Sequence, residues 1–274
     1  MHRYYELGKE EARLSNSGAG RLEFERTQEI LLRHLPEPPA TVADIGGGPG
    51  RYALWLAGLG YRVVHRDLMP LHVGQVRAAV AADPAGARGS AGAPLLVDSA
   101  VGDARNLDLG DGTADAVLLL GPLYHLNRRA DRVQALREAG RVVRPGGPVF
   151  AAAISRWAAR LDGMLRLRLY ERNPTAADSV GAVERTGVLP PLMPGGFGGF
   201  THRPRQLRAE FASAGLGVAD LVCVEGAAYV LDDLDDRAND ERAWQVILDA
   251  ARAHERVPEL MGLGSHLLAT GFRR

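Results

Sequence analysis

The segment Val42-Ala43-Asp44-Ile45-Gly46-Gly47-Gly48-Pro49-Gly50 constrains this 274-residue chain more than any other. A short apolar run ends in an acid and passes straight into glycines spaced G-x-G-x-G. A helical apolar pattern over 51–59 follows. A buried strand, a tight glycine turn and a helix, in that order, open a βαβ unit, and a βαβ unit implies a parallel sheet. The spacing also bears on the ligand. The dinucleotide fingerprint G-x-G-x-x-G places its last glycine one residue later, inside the helix. Here, turn residues without β-carbons let a ligand lie against the backbone. Asp44 at the strand end would repel a pyrophosphate and attract an ammonium group. The competing reading is a glycine-rich surface turn.

The rest of the chain extends the pattern. Residues 22–35 read as a helix, with Phe24, Thr27, Ile30, Leu31 and Leu35 on one face, stopped by Pro36, Pro38 and Pro39. Strands are expected over 41–46, 61–66, 95–101, 114–120 and 148–154. Helices are expected over 51–59, 71–82 and 129–143. This alternation predicts an α/β fold, a doubly wound sheet covered on both faces. After residue 154 the pattern breaks into a helical stretch (157–170), a polar middle and a Pro/Gly-rich run (189–200). A helix over 204–214, a strand over 218–225, a helix over 240–254 and a strand over 266–270 follow. The whole reads as a single domain, 1–274, with a helical lid over 1–35 and an insertion over 155–205. That insertion is placed to cover the carboxyl edge of the sheet, the alternative being an elaboration of packing.

Charge excludes some partners. The 33 basic and 33 acidic residues cancel, so nothing in the balance favours a polyanion. Lys9 is the only lysine; with so much Ala and Gly, the arginine excess reads as coding bias more than as phosphate recognition. Cys223, the sole cysteine, lies in an apolar strand-like run and reads as a small buried hydrophobe. No apolar stretch has the length of a membrane span, so a cytoplasmic protein is expected. The histidines are scattered without metal-ligand spacing, and no metal is expected.

In an open parallel sheet, ligands bind off the carboxyl ends of the strands. A polar or small residue stands at each of those ends. Asp67, followed by Leu68, closes the second strand and can accept both hydroxyls of a ribose. Gly102-Asp103-Ala104 offers a carboxylate to an adenine amine and an N–H to a ring nitrogen. Gly121, before Pro122-Leu123-Tyr124-His125, allows close approach. A single acid at a strand end often only caps the next helix. Three at this spacing, with the glycine turn, form a constellation.

These residues resemble the motifs of class I S-adenosylmethionine-dependent methyltransferases. Asp44–Gly50 is similar to that family's first motif, Asp67 to its ribose-binding acid and Gly102-Asp103-Ala104 to its adenine motif. The 115–120 strand and the segment from Leu136 to Gly147 are similar to its fourth and fifth strand motifs. The resemblance is close over 40–154 and looser over the last two strands. It implies a Rossmann-like seven-stranded sheet of order 3-2-1-4-5-7-6 with an antiparallel last strand. Tyr4-Tyr5-Glu6, Gly20–Phe24 and Gly-Pro-Leu-Tyr-His-Leu resemble a small-molecule, bacterial branch with an N-terminal lid helix.

The implied activity is methyl transfer from S-adenosylmethionine to an O, N or C nucleophile of a small metabolite, leaving S-adenosylhomocysteine. Asp44, Gly46, Gly47, Gly48, Gly50, Asp67, Leu68, Asp103, Ala104 and Gly121 are the expected cofactor residues. Arg21 is the candidate for its carboxylate, unless it pairs with Glu25 at i+4. His125 is the candidate base, with Tyr124 beside it, unless His125 only packs the following helix. Tyr5, Arg156, Trp157, His202 and Tyr229 are candidates for the acceptor pocket. The alternatives are a tRNA or rRNA methyltransferase and a non-catalytic binder of the same cofactor. Against the first, Gly121-Pro122-Leu123-Tyr124 stands where base-amine enzymes carry Asn/Asp-Pro-Pro-Tyr, and no basic, aromatic-interleaved appendage is present. A nicotinamide-dependent oxidoreductase is opposed by Asp44 and the glycine spacing. The protein is expected to be a monomer or homodimer.

Overall fold

The structure is a computed structural model that describes residues 17–82, 96–191 and 197–273. The first half runs as the apolar periodicity demands. Helix α1 (Gly18–Leu32) leads to β1 (Thr41–Ile45), α2 (Arg51–Gly58), β2 (Arg62–Asp67), α3 (Pro70–Ala82), β3 (Leu96–Val101) and β4 (Ala116–Leu119). A one-turn helix α4 (Pro122–His125), then α5 (Arg129–Val142), precedes β5 (Pro148–Ser155). Strands β1 to β5 pair in parallel in the order 3-2-1-4-5. On the far edge, β9 (His266–Arg273) runs antiparallel to β5 and pairs with β8 (Leu216–Cys223). The implied order and the antiparallel last strand both hold.

Among the described residues the sheet has nine strands, two more than expected, because the segment after β5 adds a hairpin. There β6 (Val188–Leu189) pairs with β7 (Gly199–His202), and β7 lies parallel to the tip of β5 at Ile154 and Ser155. β9 occupies one edge of β5 from Pro148 to Ile154, and β4 occupies the other only from Val149 to Ala151. The hairpin therefore takes the place that β4 vacates. Between β5 and β6 lie a π-helical segment (Ala159–Arg166) with Gly163 in its middle, α6 (Leu169–Arg172) and α7 (Ala176–Thr186). Sequence periodicity gave one helix over 157–170 and left α7 as a polar middle. Glycine inside the first stretch weakens its α-helical preference, and α7 buries only Ala176, Val180 and Val183. The chain closes through α8 (Pro204–Ser213), a 3-10 turn (Gly226–Val230), α9 (Leu234–Arg237) and α10 (Glu241–His254).

Alternation along each strand divides the core into two layers. Ala43, Val117, Ala151 and Leu267 face α5 and α8, while Val42, Leu118, Phe150 and Leu268 face α1 and α2. Each fully buried large side chain contributes about 1.5–3 kcal/mol. Cys223 belongs to the first layer, where burial pushes its thiol up to about 12, so it is an inert hydrophobe as expected. Helix α1 is clamped from one end. Arg26, fully buried, pairs with Glu29 and Glu255, and Arg33 reaches Glu255 at 2.7 Å. Breaking such a buried pair from one side typically costs about 3–5 kcal/mol, so the helix is a fixed wall of the fold.

Candidate functional site

The loops that leave β1, β2, β3 and β4 at their carboxyl ends enclose a cleft of about 1000 Å³, counted out to its open mouth. The β1 turn forms its floor. Gly46, Gly48 and Gly50 have φ of +67°, +57° and +85°, a region that costs other residues strain. Gly47 is required for closeness: a β-carbon there would overlap the Asp44 carboxylate beneath it.

Asp44 is fully buried, and among the described residues neither carboxylate oxygen makes a well-formed hydrogen bond, the Ala53 N–H in α2 being the backbone donor that draws its pKa down. Burial, with the nearby charge of Asp67, pushes its pKa up to about 7. An orphaned carboxylate in a cleft wall is a site for a cation or a strong donor. His65, fully buried on β2, pins the turn from behind. Its Nε2 donates to the Gly48 carbonyl at 3.0 Å, since a carbonyl only accepts, so Nδ1 accepts from the Ser99 hydroxyl at 3.0 Å. Burial lowers the His65 pKa and keeps the ring neutral.

Asp67 is held the opposite way from Asp44. Its Oδ1 accepts the Met69 N–H at 2.8 Å and faces His72 Nδ1 at 3.0 Å, and its Oδ2 accepts the Gly48 N–H at 2.8 Å. Burial pulls its pKa up, but these bonds outweigh it and hold the carboxyl below its ordinary value. Asp103 is bound by its neighbour Arg105, with Nη2 to Oδ2 at 2.6 Å and Nε to Oδ1 at 3.0 Å, which lowers its pKa. Gly121 lets the start of α4 lie against the Gly46 carbonyl, which a β-carbon would approach to 2.9 Å. At the mouth, Tyr124 and His125 form an edge-to-face cluster with Phe197, with ring centroids 4.7 to 5.9 Å apart. Burial lowers the His125 pKa to about 4.

Eleven of the sequence candidates, Gly50 not among them, thus share one cleft: Asp44, Gly46, Gly47, Gly48, Asp67, Leu68, Asp103, Ala104, Gly121 and the pair Tyr124–His125. Gly50 sits behind the turn against Val76 and starts α2. Arg21 does not reach the cleft. It pairs with Glu25 at 2.6 Å, donates to the Ala238 carbonyl at 2.6 Å and stacks on Trp244, the i+4 pairing that competed with its cofactor role.

The acceptor candidates also lie elsewhere. Arg156 is buried under the hairpin, donating to the carbonyls of Thr201 and Glu184 and to Gln206 Oε1. Trp157 is 40% exposed and leans on Gly262. His202 is sealed in an ionic cluster with Glu210, 3.1 Å from its Nε2, and Arg132. Tyr229 is buried between α1 and α10, where its hydroxyl has no hydrogen-bond partner among the described residues and burial pushes its pKa up. Tyr5 lies outside the described residues.

Sequence reasoning missed His65, His72, Arg51 and Tyr52. The last two line the cleft from the first turn of α2. The i+5 spacing of His72 from Asp67 was a readable signal; the pairing of His65 with a turn 17 residues earlier was not. Also missed was a trio, Glu23, Glu225 and His266, whose ligand-type atoms lie within 4.8 Å of one another. Their separation along the chain gives no spacing motif.

Residues 43–151 match the family described as "Methyltransferase domain". A 132-residue stretch is 35% identical to a ubiquinone/menaquinone biosynthesis C-methyltransferase, UbiE, of Acidiphilium cryptum (strain JF-5). That match covers 47% of this chain and 48% of the relative, so the chain spans about half the length of the curated relative it matches. Among solved structures, a SAM-dependent methyltransferase of Thermotoga maritima, described as a possible histamine N-methyltransferase, is 17% identical with a TM-score of 0.55. It covers 100% of this chain and 99% of its own. The geranyl diphosphate C-methyltransferase of Streptomyces coelicolor A3(2), solved with Mg2+, geranyl diphosphate and S-adenosyl-L-homocysteine, is 14% identical with a TM-score of 0.52. It covers 92% and 81% of the two chains. At such identities the structures share the fold. No helix among the described residues is long and apolar enough to cross a membrane.

Proposed function

With a class I methyltransferase domain over residues 43–151 as the premise, we propose that this chain transfers a methyl group from S-adenosylmethionine to a small-molecule nucleophile. The observation that carries the reading is Asp44, a buried carboxylate in the floor of the cleft whose oxygens make no well-formed hydrogen bond among the described residues. An ammonium group answers that vacancy in charge and in donors; a phosphate does not. S-adenosylmethionine supplies an ammonium, a ribose, an adenine and a sulfonium-activated methyl group.

The remaining residues fit the same ligand. Gly46, Gly47 and Gly48 admit it against their backbone. An ionised carboxylate offers about four acceptor positions, and Asp67 has already used three, two on Oδ1 and one on Oδ2. One ribose hydroxyl therefore takes the free position on Oδ2, and a second must displace His72. Asp103 must share its carboxylate with Arg105 to receive an adenine amine. Tyr124, His125 and Phe197 close the mouth and exclude water. In-line methyl transfer needs alignment and dryness more than covalent help.

The segments 17–35 and 155–205 wall the acceptor side in this reading. A neutral His125 with a pKa near 4 is a weak proton acceptor, so it serves in shaping the mouth.

Calorimetry with S-adenosylhomocysteine tests the cofactor, and methyl-14C-labelled donor with a small-molecule bacterial extract tests the transfer. Micromolar binding of S-adenosylhomocysteine is expected, with label appearing in compounds of low mass. Stabilisation by NADH in its place, or label entering only tRNA, would overturn the reading. Asp67→Ala should weaken S-adenosylhomocysteine binding about 10- to 100-fold, for a charge-assisted bond of about 1.5–3 kcal/mol.

A further inference from the structure

Arg21 lies off the cleft, so a carboxylate carried by the ligand needs another cation. Among the described residues the cleft is lined by the carboxylates of Asp44, Asp67 and Asp103 and by a single guanidinium, that of Arg51. Arg51 is exposed and opens α2, directly after Gly50. Arg66, Arg105, Arg132 and Arg141 each meet an acid. Arg51 meets none among the described residues; its guanidinium carbon lies 4.7 Å from the centre of the Phe24 ring on α1.

The helix gains nothing from a positive charge at this position. Its N-terminus is the positive end of the backbone dipole, where an acid is favoured and a cation is not, and its first turn holds no acid. The Phe24 ring offers its negative face to the charge but no directed acceptor to the N–H groups. A guanidinium placed this way in a cleft wall is set for an anion that enters the cleft. Asp44 identifies the anion. In an α-amino acid the ammonium and the carboxylate share one carbon, so an ammonium seated on Asp44 brings the carboxylate beside it. Asp44 and Arg51 flank the same glycine turn, one before Gly46 and the other after Gly50. The aromatic mouth of Tyr124 and His125 is built from a different loop, the one after β4.

We propose that Arg51, steadied by the Phe24 ring, binds the carboxylate at the amino-acid end of the cofactor, so that Asp44 and Arg51 together read a zwitterion. This rests on the methyltransferase reading. Helix α1 then enters the cofactor site through Phe24 and not through Arg21. Its footing is firm: Phe24 packs on Tyr52 with ring centroids 5.2 Å apart, and Arg26 and Arg33 tie the helix to Glu255. The pair also sets a selectivity. An adenosine thioether with the ammonium but no carboxylate satisfies Asp44 and leaves Arg51 unanswered, and one without the amino-acid end satisfies neither.

Calorimetry with three nucleosides tests this without an acceptor: S-adenosylhomocysteine, its decarboxylated analogue, which keeps the ammonium, and methylthioadenosine, which lacks the whole amino-acid end. Wild type should prefer S-adenosylhomocysteine to the decarboxylated analogue by about tenfold or more. Arg51→Gln should lower S-adenosylhomocysteine affinity about 10- to 100-fold, the range for one charge-assisted hydrogen bond, and leave both analogues within about twofold. Arg51→Lys should keep part of the preference. Phe24→Leu should lose less than Arg51→Gln, again with methylthioadenosine unaffected. Urea unfolding of each variant checks that it is folded. If wild type binds S-adenosylhomocysteine but shows no preference for the carboxylate, or if Arg51→Gln keeps that preference or weakens all three ligands alike, the proposal is overturned and the methyltransferase reading stands. Intact cofactor binding in Arg51→Gln with reduced incorporation of label also overturns it, because the guanidinium would then serve an acid group on the acceptor. A folded wild type that binds none of the three removes the cofactor reading and the role of Arg51 together.

Discussion

His65 donates from Nε2 to the Gly48 carbonyl across 3.0 Å, tying the glycine turn after β1 to the neighbouring strand β2. The turn is thereby fixed before any ligand arrives. Its shape depends on a side chain that never enters the cleft.

Replacing His65 with leucine leaves the Gly48 carbonyl and the Ser99 hydroxyl without their partner. A loss of roughly 2–3 kcal/mol in urea unfolding is expected, from two buried polar groups left unpaired. S-adenosylhomocysteine affinity should fall about tenfold by calorimetry as the turn loses its preset form. An affinity equal to wild type would show that the turn holds itself.

Asp44 makes the ligand-free protein pH-sensitive in an unusual direction. Its folded pKa of about 7 lies above its unfolded value near 3.8, so the folded state binds more protons between those limits. Stability from this group is therefore greatest below pH 4 and is lost as pH rises toward 7, by an amount on the order of 4 kcal/mol. Asp44→Asn should flatten that dependence and raise the melting temperature at pH 8. It should also weaken S-adenosylhomocysteine binding at least tenfold. In the wild type at pH 6, binding of an ammonium-bearing ligand should expel up to about one proton, read from calorimetry in buffers of different ionisation enthalpy.

His125 contributes with the opposite sign. Its folded pKa of about 4 lies below its unfolded value of 6.5, so its contribution is complete above pH 6.5 and is lost as pH falls toward 4, on the order of 3 kcal/mol. His125→Phe, which keeps a ring against Tyr124 and Phe197, should be more acid-stable than wild type and bind S-adenosylhomocysteine with unchanged affinity. A methyl-transfer rate reduced by 10²-fold or more in this variant would return the base role to His125.

Arg156 holds the β6–β7 hairpin to the sheet through Thr201, Glu184 and Gln206. Arg156→Met should cost roughly 3 kcal/mol by leaving buried carbonyls unpaired, a fall in Tm on the order of 10 °C. Cofactor affinity should stay within twofold, since none of these contacts touches the cleft. A large loss of affinity would show that the hairpin shapes the cofactor end as well.

Strands β1, β4 and β5 were legible because each is a short, buried apolar run; β2 and β3 were legible from their apolar stretches and from the Asp67 and Gly102 that end them, although Arg62 and Val101 stand exposed on them. The residues that line the cleft were legible because Asp44, Asp67 and Asp103 stand at strand ends, and a strand end has a fixed place in a parallel sheet. The acceptor side was not. Arg156, His202 and Tyr229 were singled out by residue type in a segment with no periodic frame, and each turned out to serve packing or a buried ion pair. Glu23, Glu225 and His266 come together only because β8 and β9 return antiparallel beneath α1. Pairing of that kind depends on the closed fold and leaves no local trace. The nine-strand count was missed because β6 and β7 are two and four residues long and flank a Pro/Gly-rich run.

The insertion of β7 into the place beside β5 that β4 leaves vacant has a consequence for traffic through the site. A flap joined only by a loop can swing aside at little cost. This wall is stitched to β5 by backbone pairing, and Gly199 rests against the Tyr124 carbonyl with no room for a β-carbon. Moving it would strip hydrogen bonds from the sheet itself. If the chain acts as proposed, an acceptor bound on that side would meet a wall of fixed contour, and selection there would be by shape and charge at rest rather than by closure around whatever has entered.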